Sequence, residues 1–323
     1  TFDETKINGY YLKRILRSNE FKKLLNTKTS GISKARVKVD EFLEIKIPLP
    51  SLSEQNKIVA AYNKKIELAE KQEEKANKLE KDIHNYIDKE LGIKKKTKKT
   101  IKEGVFLELV NFSKFNKWGL YEKSNISYQE GFEKLKISQI CTVSSGGTPS
   151  RSNKEYYTGT IPWIKTGEVI NDVITETEEH ITTEAVKNSS AKLYKKNSLI
   201  IAMYGQGKTR GRTAKLGIDA TTNQACAVLH EINNSKILTD FLWLFLLNEY
   251  DRLRELASGN SQPNLNAQMI KNYNVVIPTL NIQQKIINKI STLKAEIKDL
   301  KEQAARNRDQ AIIDFENEIF KTD

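Results

Sequence analysis

The sequence predicts an α/β (α+β) protein that combines globular domain structure with two long helices, which form an antiparallel coiled coil. Three observations support this class. Two distant segments repeat each other, and each repeat ends in a narrow apolar stripe with helical spacing. Between the stripes lie short β-like segments, residues 133–143, 161–164, 198–204 and 225–231, and one strong helix predicted over residues 238–256. These segments do not alternate regularly with helices, which argues against a doubly wound sheet.

The repeat is an ungapped match between residues 30–58 and residues 258–286, in which eight of 29 positions are identical. Chance similarity between two amphipathic helices would not extend into the loop and strand before each helix. We therefore interpret the match as an internal duplication with an offset of 228 residues. The identical positions of the first copy are Ser30, Gly31, Ser33, Pro50, Leu52, Gln55, Lys57 and Ile58.

Each copy has the same local order of signals. A strand-like run, residues 43–49 or 273–277, ends at a proline and a short turn. Ser53 and Asn281 follow where a helix N-cap is expected, because their side-chain oxygens can accept an unpaired backbone N–H. The sequence therefore predicts a strand, a turn and the start of a long helix in both copies.

The predicted helices, residues 54–91 and 282–320, would each be about 55–60 Å long. Their apolar residues recur every three or four positions and form one narrow stripe, which must be buried on a partner helix. We expect the two helices to pair with each other, with small or polar residues such as Ala69, Gln72 and Asn307 permitting close approach. The alternative is two separate core helices.

These signals predict five regions in order along the chain. Residues 1–52 form the C-terminal part of a first domain, which we expect to be truncated at its N-terminus, and residues 53–91 form the first long helix. Residues 92–104 form a Lys-rich linker, although its cations could also contact phosphates. Residues 105–280 form a complete second domain, and residues 281–323 form the second long helix.

Composition limits the function classes. The 323 residues carry a net charge of +12, which favours a polyanionic partner such as nucleic acid without establishing one. No apolar run is long enough to cross a membrane. Two cysteines and three histidines make a disulfide framework or a usual structural zinc site improbable, so we expect a cytoplasmic protein without a metal. No catalytic triad or pair of acids stands out.

Several short motifs occur in a specific order within the second domain. With the Ile-Pro-x-Leu-x-x-Gln-x-Lys-Ile entry to each helix, this order resembles the specificity (S) subunits of type I restriction–modification systems, and the resemblance covers nearly the whole chain. The motifs are Ser145-Gly-Gly-Thr-Pro-Ser150, Ile161-Pro-Trp-Ile-Lys-Thr-Gly-Glu168, Asn188-Ser-Ser-Ala191, Thr221-Thr-Asn-Gln-Ala-Cys226 and Ser258-Gly-Asn-Ser-Gln-Pro-Asn-Leu265.

The resemblance implies a division of labour between subunits. Each globular domain would be a target recognition domain that reads one half of a split sequence in double-stranded DNA. The paired helices would set the gap between the halves and dock two methyltransferase (modification) subunits. The chain itself would be non-catalytic, hold no cofactor and work in the bacterial cytoplasm. S-adenosylmethionine and ATP would belong to partner subunits, including a restriction subunit where the system has one.

The most basic loop predicted to contact DNA is Gly205–Lys215. It follows a strand, carries four cations and no acid, and contains three glycines that allow close approach to a surface. Gln206 suits adenine in the major groove, while Arg210 and Arg212 suit guanine. Lys208 and Lys215 better suit phosphates. The alternative is a solvated basic loop.

Two further loops are candidates with weaker signals. The first loop, residues 144–156, is flexible, hydroxyl-rich and basic, but could equally be a structural turn. The second loop comprises residues 165–168. There the carboxylate of Glu168 could accept a hydrogen bond from cytosine N4, or instead bond a neighbouring loop. The candidate residues are Gly147, Thr148, Ser150, Arg151, Lys154, Lys165 and Glu168.

Two other function classes compete with DNA recognition. The first is a coiled-coil scaffold whose basic loops bind a protein partner. The second is an ATP-using enzyme, suggested by Gly207-Lys208-Thr209 after a strand. Ala202 stands where a phosphate-binding loop needs glycine, and Arg210-Gly211-Arg212 is a poor helix start, so the sequence disfavours the second class.

Overall fold

The computed structural model describes residues 3–28, 37–93, 131–205, 207–257 and 264–320. The chain divides into two compact units. The helical unit comprises Thr1–Asp82 and Thr292–Asp323, and the mixed unit comprises Ile83–Ser291. Among the described residues, no helix is both long and apolar enough to cross a membrane.

Two long helices dominate the helical content. They are α4 (Leu52–Glu90) and α10 (Leu280–Ile319), and they follow three short helices, α1 (Gly9–Ile15), α2 (Asn19–Thr27) and α3 (Val39–Leu43). The predicted long helices are therefore confirmed, with ends that differ from the predicted ones by at most two residues.

Within the helical unit the two long helices run antiparallel. As the residue number rises along α4, its partner's number falls along α10: Lys65 pairs with Asp314, and Glu80 pairs with Lys301 at 2.6 Å. Ala69, Ala76 and Ala304 are fully buried, so small side chains bring the backbones close together at the seam. The predicted antiparallel coiled coil is confirmed.

One polar layer crosses this seam. The amide of Asn307 donates to Gln72 Oε1 at 2.8 Å, and Gln72 Nε2 donates to Gln303 Oε1 at 2.8 Å. A buried polar group in a coiled coil favours the register in which its partners meet. The sequence-based expectation that Gln72 and Asn307 permit close approach agrees with this contact.

The start of α4 lies earlier than predicted. Ser51 Oγ accepts from Glu54 N at 3.3 Å, and the Glu54 carboxylate accepts from Ser51 N at 3.0 Å. This reciprocal pair is a capping box, so Ser51 rather than Ser53 caps the helix. The prediction that Asn281 caps the second helix is also wrong. Helix α10 already contains Asn281, and Gln283 N in its first turn donates to Thr279 O.

The short helices of the helical unit form a small core on the long helices. Tyr11 and Ile15 of α1 are fully buried, and Phe21 of α2 is nearly so. The ring of Phe315 lies 5.9 Å from that of Tyr11 and 5.8 Å from that of Tyr62. Burial of these aromatic side chains holds residues 3–28 against the coiled coil.

The described residues of the mixed unit form three small sheets. A five-stranded sheet has the order β2-β9-β6-β7-β4, a three-stranded sheet has the order β5-β3-β8, and β1 pairs with β10. The strands are β1 (Glu133–Lys136), β2 (Thr142–Ser145), β3 (Ile161–Ile164), β4 (Val173–Ile174), β5 (His180–Ile181), β6 (Leu199–Ala202), β7 (Thr213–Leu216), β8 (Thr221–Thr222), β9 (Cys226–His230) and β10 (Asn274–Ile277).

Helices cover the sheets of the mixed unit. The residues of α7 from Phe241 to Leu246 are all buried, which explains an apolar run without a polar face. The helix predicted over 238–256 is two helices, because the chain breaks at Glu249. The helices are α5 (Ile137–Ile140), α6 (Thr183–Lys187), α7 (Thr239–Asn248), α8 (Tyr250–Glu255) and α9 (Ala267–Lys271).

Two predicted strands differ from the structure. The run 133–143 is interrupted by α5, since Ile137 and Ile140 turn their side chains into the core. The first-copy run 43–49 is not a strand, whereas its counterpart forms β10. The difference has a simple cause: β10 is paired with β1, and residues 45–49 have no strand beside them within the described part of the chain.

The duplication is visible as a repeated hydrogen-bond clamp on a buried glutamine. Gln283 Nε2 donates to the carbonyls of Lys236 at 3.0 Å and Pro278 at 2.8 Å, and its Oε1 accepts from Leu238 N at 2.8 Å. In the helical unit, Gln55 makes the same three bonds, and its partners are Lys6 O, Pro50 O and Asn8 N. Sequence identity at this position therefore has a structural cause.

Candidate nucleic-acid interface

The predicted contact loops begin at one end of the five-stranded sheet. Strand β2 ends at Ser145 opposite Ala227, and β6 ends at Ala202 opposite Cys226, where β9 begins. The connections at these strand ends therefore leave the sheet together, and we call this end the loop edge. Its described segments are residues 146–150, 203–205, 207–212 and 223–225.

The loop after β3 joins the same edge. Thr166 Oγ1 donates to Asn223 Oδ1 at 3.1 Å, and Asn223 N donates to Ile164 O at 3.0 Å. The structure thus brings together three predicted segments that lie far apart in the sequence. A concave or flat edge made of loops on a rigid sheet is a usual place for recognition residues.

Gly147 has a packing role in the first loop. It is buried, its N–H donates to Thr222 O at 2.8 Å, and its carbonyl accepts from Trp163 Nε1 at 2.9 Å. A Cβ on Gly147 would lie 2.3 Å from Ala191 N, so no other residue fits. The geometry supports the structural-turn alternative for this glycine, while Thr148 bonds Gln224 and joins two parts of the loop edge.

Arg151 and Lys165 share acidic neighbours. Arg151 Nη1 donates to Glu179 at 2.6 Å, and Lys165 Nζ lies 3.1 Å from Glu179 and 2.7 Å from Glu178. The carboxylate of Glu179 raises the pKa of Arg151, and the two cations hold the pKa of Glu179 below its ordinary value. The positive charges of Arg151 and Lys165 are therefore balanced inside the protein by two carboxylates.

The ring stack beneath Arg151 fixes its direction. Its guanidinium carbon lies 4.1 Å from the centre of the Tyr157 ring and 4.9 Å from that of Trp163. Trp163 itself is buried. A guanidinium held on aromatic faces keeps its edge available for hydrogen bonds to a planar acceptor. Ser150 and Lys154 are exposed nearby.

The carboxylate of Glu168 accepts hydrogen bonds from its own loop and from a neighbouring loop. Its carboxylate accepts from Lys165 N at 2.8 Å, from Thr177 Oγ1 at 2.6 Å and from Glu178 N at 3.2 Å. These bonds support the alternative in which Glu168 holds a neighbouring loop. The predicted contact to cytosine N4 stays a prediction.

The basic loop after β6 depends on its glycines. Gly205, Gly207 and Gly211 have φ angles of 130°, 63° and 85°, a region that other residues rarely adopt. Gly211 also lies against α8, because a Cβ there would meet Arg254 Cγ at 2.9 Å. In the structure these glycines shape the loop. The expectation that they also allow close approach to a DNA surface stays a prediction.

Two side chains of α8 hold the basic loop from behind. Tyr250 Oη donates to Lys208 O at 2.7 Å, and Arg254 Nη1 donates to Arg210 O at 2.9 Å. Arg254 also lies over the Tyr250 ring at 5.3 Å. Both bonds reach backbone carbonyls of the loop and do not involve its cationic side chains. Sequence reasoning did not find this support, although Tyr250 and Arg254 have the i, i+4 spacing of one helix face.

The cations of the loop edge differ in their surroundings. Lys208 is exposed, Arg210 and Arg212 are partly exposed, and Gln206 lies outside the described residues. Within the described part of the chain, Lys208 and Arg212 form no ion pair. Unpaired exposed cations on a shaped loop create a positive potential beyond the surface.

Lys215 lies apart from this group. It stands within β7 opposite Leu199, its Nζ pairs with Asp240 at 2.6 Å, and it lies 5.6 Å from the Trp243 ring centre. Only 19% of its side chain is exposed. The structure therefore does not bring Lys215 to the loop edge.

The structure offers little support for catalytic chemistry in the described residues. Burial raises the pKa of both Cys141 and Cys226 to about 12, which keeps these thiols protonated at neutral pH. The described residues hold no group of three or more side chains suited to a metal ion. Gly207-Lys208-Thr209 leads into strand β7 rather than a helix, so it lacks the form of a phosphate-binding loop.

Comparison with known proteins defines the class. The family described as "Type I restriction modification DNA specificity domain" matches residues 2–81 and 129–306, and the chain belongs to this family. The chain is 27% identical over 188 residues to the EcoR124I/EcoR124II specificity subunit of Escherichia coli, a match that covers 56% of this chain and 46% of that protein.

Other relatives agree with this assignment. The chain is 29% identical over 175 residues to the MjaIX specificity subunit of Methanocaldococcus jannaschii, covering 52% of this chain and 39% of that one. The matched stretches thus span less than half of either curated relative.

The fold also matches solved structures. The HsdS subunit from Thermoanaerobacter tengcongensis aligns with a TM-score of 0.54 and 14% identity, over 98% of this chain and 71% of that chain. A chain from a structural study of complex assembly and conformational transition of the type I R-M system aligns with a TM-score of 0.65 and 15% identity, over 98% and 72%. The predicted class, α/β domain structure with paired long helices, is confirmed.

Proposed function

We propose that this chain is the non-catalytic, sequence-specific DNA-recognition subunit of a type I restriction–modification methyltransferase complex. The observation that carries the proposal is the convergence of the separate polar and basic loops at the loop edge of the mixed unit. Family membership supplies the reaction context, because the matching family is a DNA specificity domain. In this proposal the mixed unit reads one half-site of a bipartite target.

The side chains divide into two groups by their surroundings. Arg210 and Arg212 reach base edges in the major groove together with Gln206, since guanidinium and amide groups pair bidentately with guanine and adenine. Lys208 and Lys154, both exposed, contact phosphates and fix the register. Arg151 approaches the DNA with its direction set by the aromatic stack. These assignments follow from exposure, charge and position on the edge.

The paired helices have a separate task in this proposal. They dock two modification subunits and set the distance between half-sites, and a restriction subunit joins where the system has one. S-adenosylmethionine and ATP are bound by those partners. The complex would work in the bacterial cytoplasm on double-stranded DNA.

The test is a double variant of the basic loop. Arg210→Ala with Arg212→Ala should weaken binding to a mixed-sequence DNA duplex, and the slope of log K against log salt should become smaller in magnitude by up to about two, because two cations are lost from the major groove, between the two phosphate backbones. The backbone bond from Arg254 to Arg210 O survives this change, so helix content should stay constant.

A matched control removes the same charge from the opposite end of the sheet. Lys196 precedes β6 and Lys236 follows β9, and both are exposed. Lys196→Ala with Lys236→Ala should leave the salt slope nearly unchanged. Equal slopes for wild type and the loop variant would overturn the assignment. Binding to an acidic protein, with none to DNA, would favour the scaffold alternative.

A further inference from the structure

Residues 45–49 of the helical unit are the counterpart of strand β10, but no described residue of the chain forms a strand beside them. The offset of 228 places α3 on α9, Lys46–Leu49 on Asn274–Ile277, and the start of α4 on the start of α10. In the mixed unit, β10 pairs antiparallel with β1. In the described part of the helical unit, the amides of Ile47 and Leu49 donate to no protein atom.

The hydrogen-bond pattern of the paired copy shows which groups are open. Ile137 N donates to Tyr273 O, so these two residues form a hydrogen-bonded pair. Hydrogen-bonded and non-hydrogen-bonded pairs alternate along an antiparallel ladder. The backbone N–H and C=O groups of Val275 therefore bond β1, and those of Val276 point away from it. By the same alternation Ile277 bonds β1.

The proline of the first copy stands at a position that tolerates it. Pro48 corresponds to Val276, whose N–H takes no part in the ladder, so its missing donor costs nothing there. Ile47 and Leu49 correspond to the bonded positions and keep their N–H groups. Pro48 O accepts from Tyr11 Oη at 3.1 Å, which places Pro48's carbonyl on the side away from the open edge.

Two apolar side chains beside this edge are exposed to solvent, whereas their counterparts in the mixed unit are buried. Phe42 is 40% exposed and Leu49 is 55% exposed, whereas their counterparts Ile270 and Ile277 are 0% and 9% exposed. Ile270 belongs to the core that contains Ile137 and Ile140 of α5. The mixed unit therefore shows what covers this surface: a strand followed at once by a short apolar helix.

We propose that residues 45–49 form an open β-edge that binds a strand–helix segment with the chemistry of residues 133–140. The incoming strand runs antiparallel, exchanges backbone bonds with Ile47 and Leu49, and places an apolar side chain opposite Ile47, as Leu135 stands opposite Val275. Its helix covers Phe42. This inference is independent of DNA binding.

Charge makes the proposal more specific. In the mixed unit, Lys136 stands opposite Asn274, whose counterpart is Lys46. A lysine in the incoming strand would therefore face Lys46 directly, and like charges at such a position are destabilising. The matching partner segment carries an acid there.

The experiment uses a fluorescently labelled peptide with the sequence of residues 131–140 and a second peptide with Lys136→Glu. Both are titrated into the full chain and followed by anisotropy, with amide hydrogen exchange of residues 45–52 as a second readout. We expect saturable binding that slows exchange, and about two- to tenfold tighter binding of the acidic peptide. No binding at millimolar peptide would overturn the proposal.

Two proline variants test the register. Leu49→Pro removes a ladder donor from an exposed side chain and should weaken binding of the natural peptide about tenfold or more. Lys46→Pro is the matched control, because Lys46 corresponds to the non-bonded Asn274, and binding should persist. Two results would contradict the proposal. In the first, Lys46→Pro weakens peptide binding and Leu49→Pro does not. In the second, the wild-type chain is a dimer that Leu49→Pro dissociates. The second result would show that the edge is filled by another copy.

Discussion

At the scale of single residues, the repeated glutamine explains why identity persists between two diverged copies. Gln55 and Gln283 are both completely buried, and each satisfies two carbonyls and one N–H where a domain segment meets a long helix. Three partner groups that would otherwise be buried without hydrogen bonds depend on one side chain. No apolar residue can replace it without leaving them unpaired.

Replacing this glutamine tests that explanation. Gln283→Ala should lower the free energy of unfolding by about 2–4 kcal/mol, because backbone groups are left unsatisfied in the interior. The neighbouring Gln284 is exposed and bonds only Asn288, so Gln284→Ala should cost less than about 0.5 kcal/mol. Denaturant unfolding measures both. Equal losses would show that the buried bonds do not carry the effect.

A second residue-scale prediction concerns the support of the basic loop. Tyr250→Phe deletes the hydrogen bond to Lys208 O while keeping the ring under Arg254. A less ordered loop should bind DNA about three- to tenfold more weakly, since ordering then has to accompany binding. Tyr10→Phe, at an exposed tyrosine of the helical unit, is the control. Unchanged DNA affinity for Tyr250→Phe would show that the hydrogen bond from Tyr250 to Lys208 O does not position the loop for DNA.

At the scale of elements, the long helices were predictable and the domain elements were predictable only in part. A stripe spaced by three and four residues has one burial solution, so α4 and α10 followed from the sequence. Ser51-x-x-Glu54 was a readable capping box that outcompeted Ser53. The strand at 43–49 was mispredicted because strand formation depends on a partner, and partners are not encoded locally.

The coiled-coil seam gives a prediction at this scale. Ala304 is fully buried, and Ala304→Leu should destabilise the helical unit by about 1–3 kcal/mol, because extra methylene groups force the helices apart. Ala60 is exposed on α4, so Ala60→Leu should have little effect. Thermal unfolding followed by circular dichroism compares them. A neutral Ala304→Leu would argue against close packing at this seam.

At the scale of the whole molecule, the sequence predicted which loops are basic but not how their charge is balanced. The net charge of +12 includes cations such as Lys165 and Lys215 that pair with acids inside the mixed unit. Lys208 and Arg212 instead stand on the loop edge. Ion pairs between distant segments, such as Arg151 with Glu179, arise from the fold and have no signature in local sequence.

In the proposed function, the mixed unit determines which DNA sequence the complex modifies. The most direct measurement is a genome-wide map of methylated adenines in cells that express the chain with its modification subunits. We predict one recurring methylated sequence that is lost or altered by Arg210→Ala with Arg212→Ala, and kept by Lys196→Ala with Lys236→Ala. The same methylated sequence in cells that lack the chain, or with the loop variant, would contradict the claim.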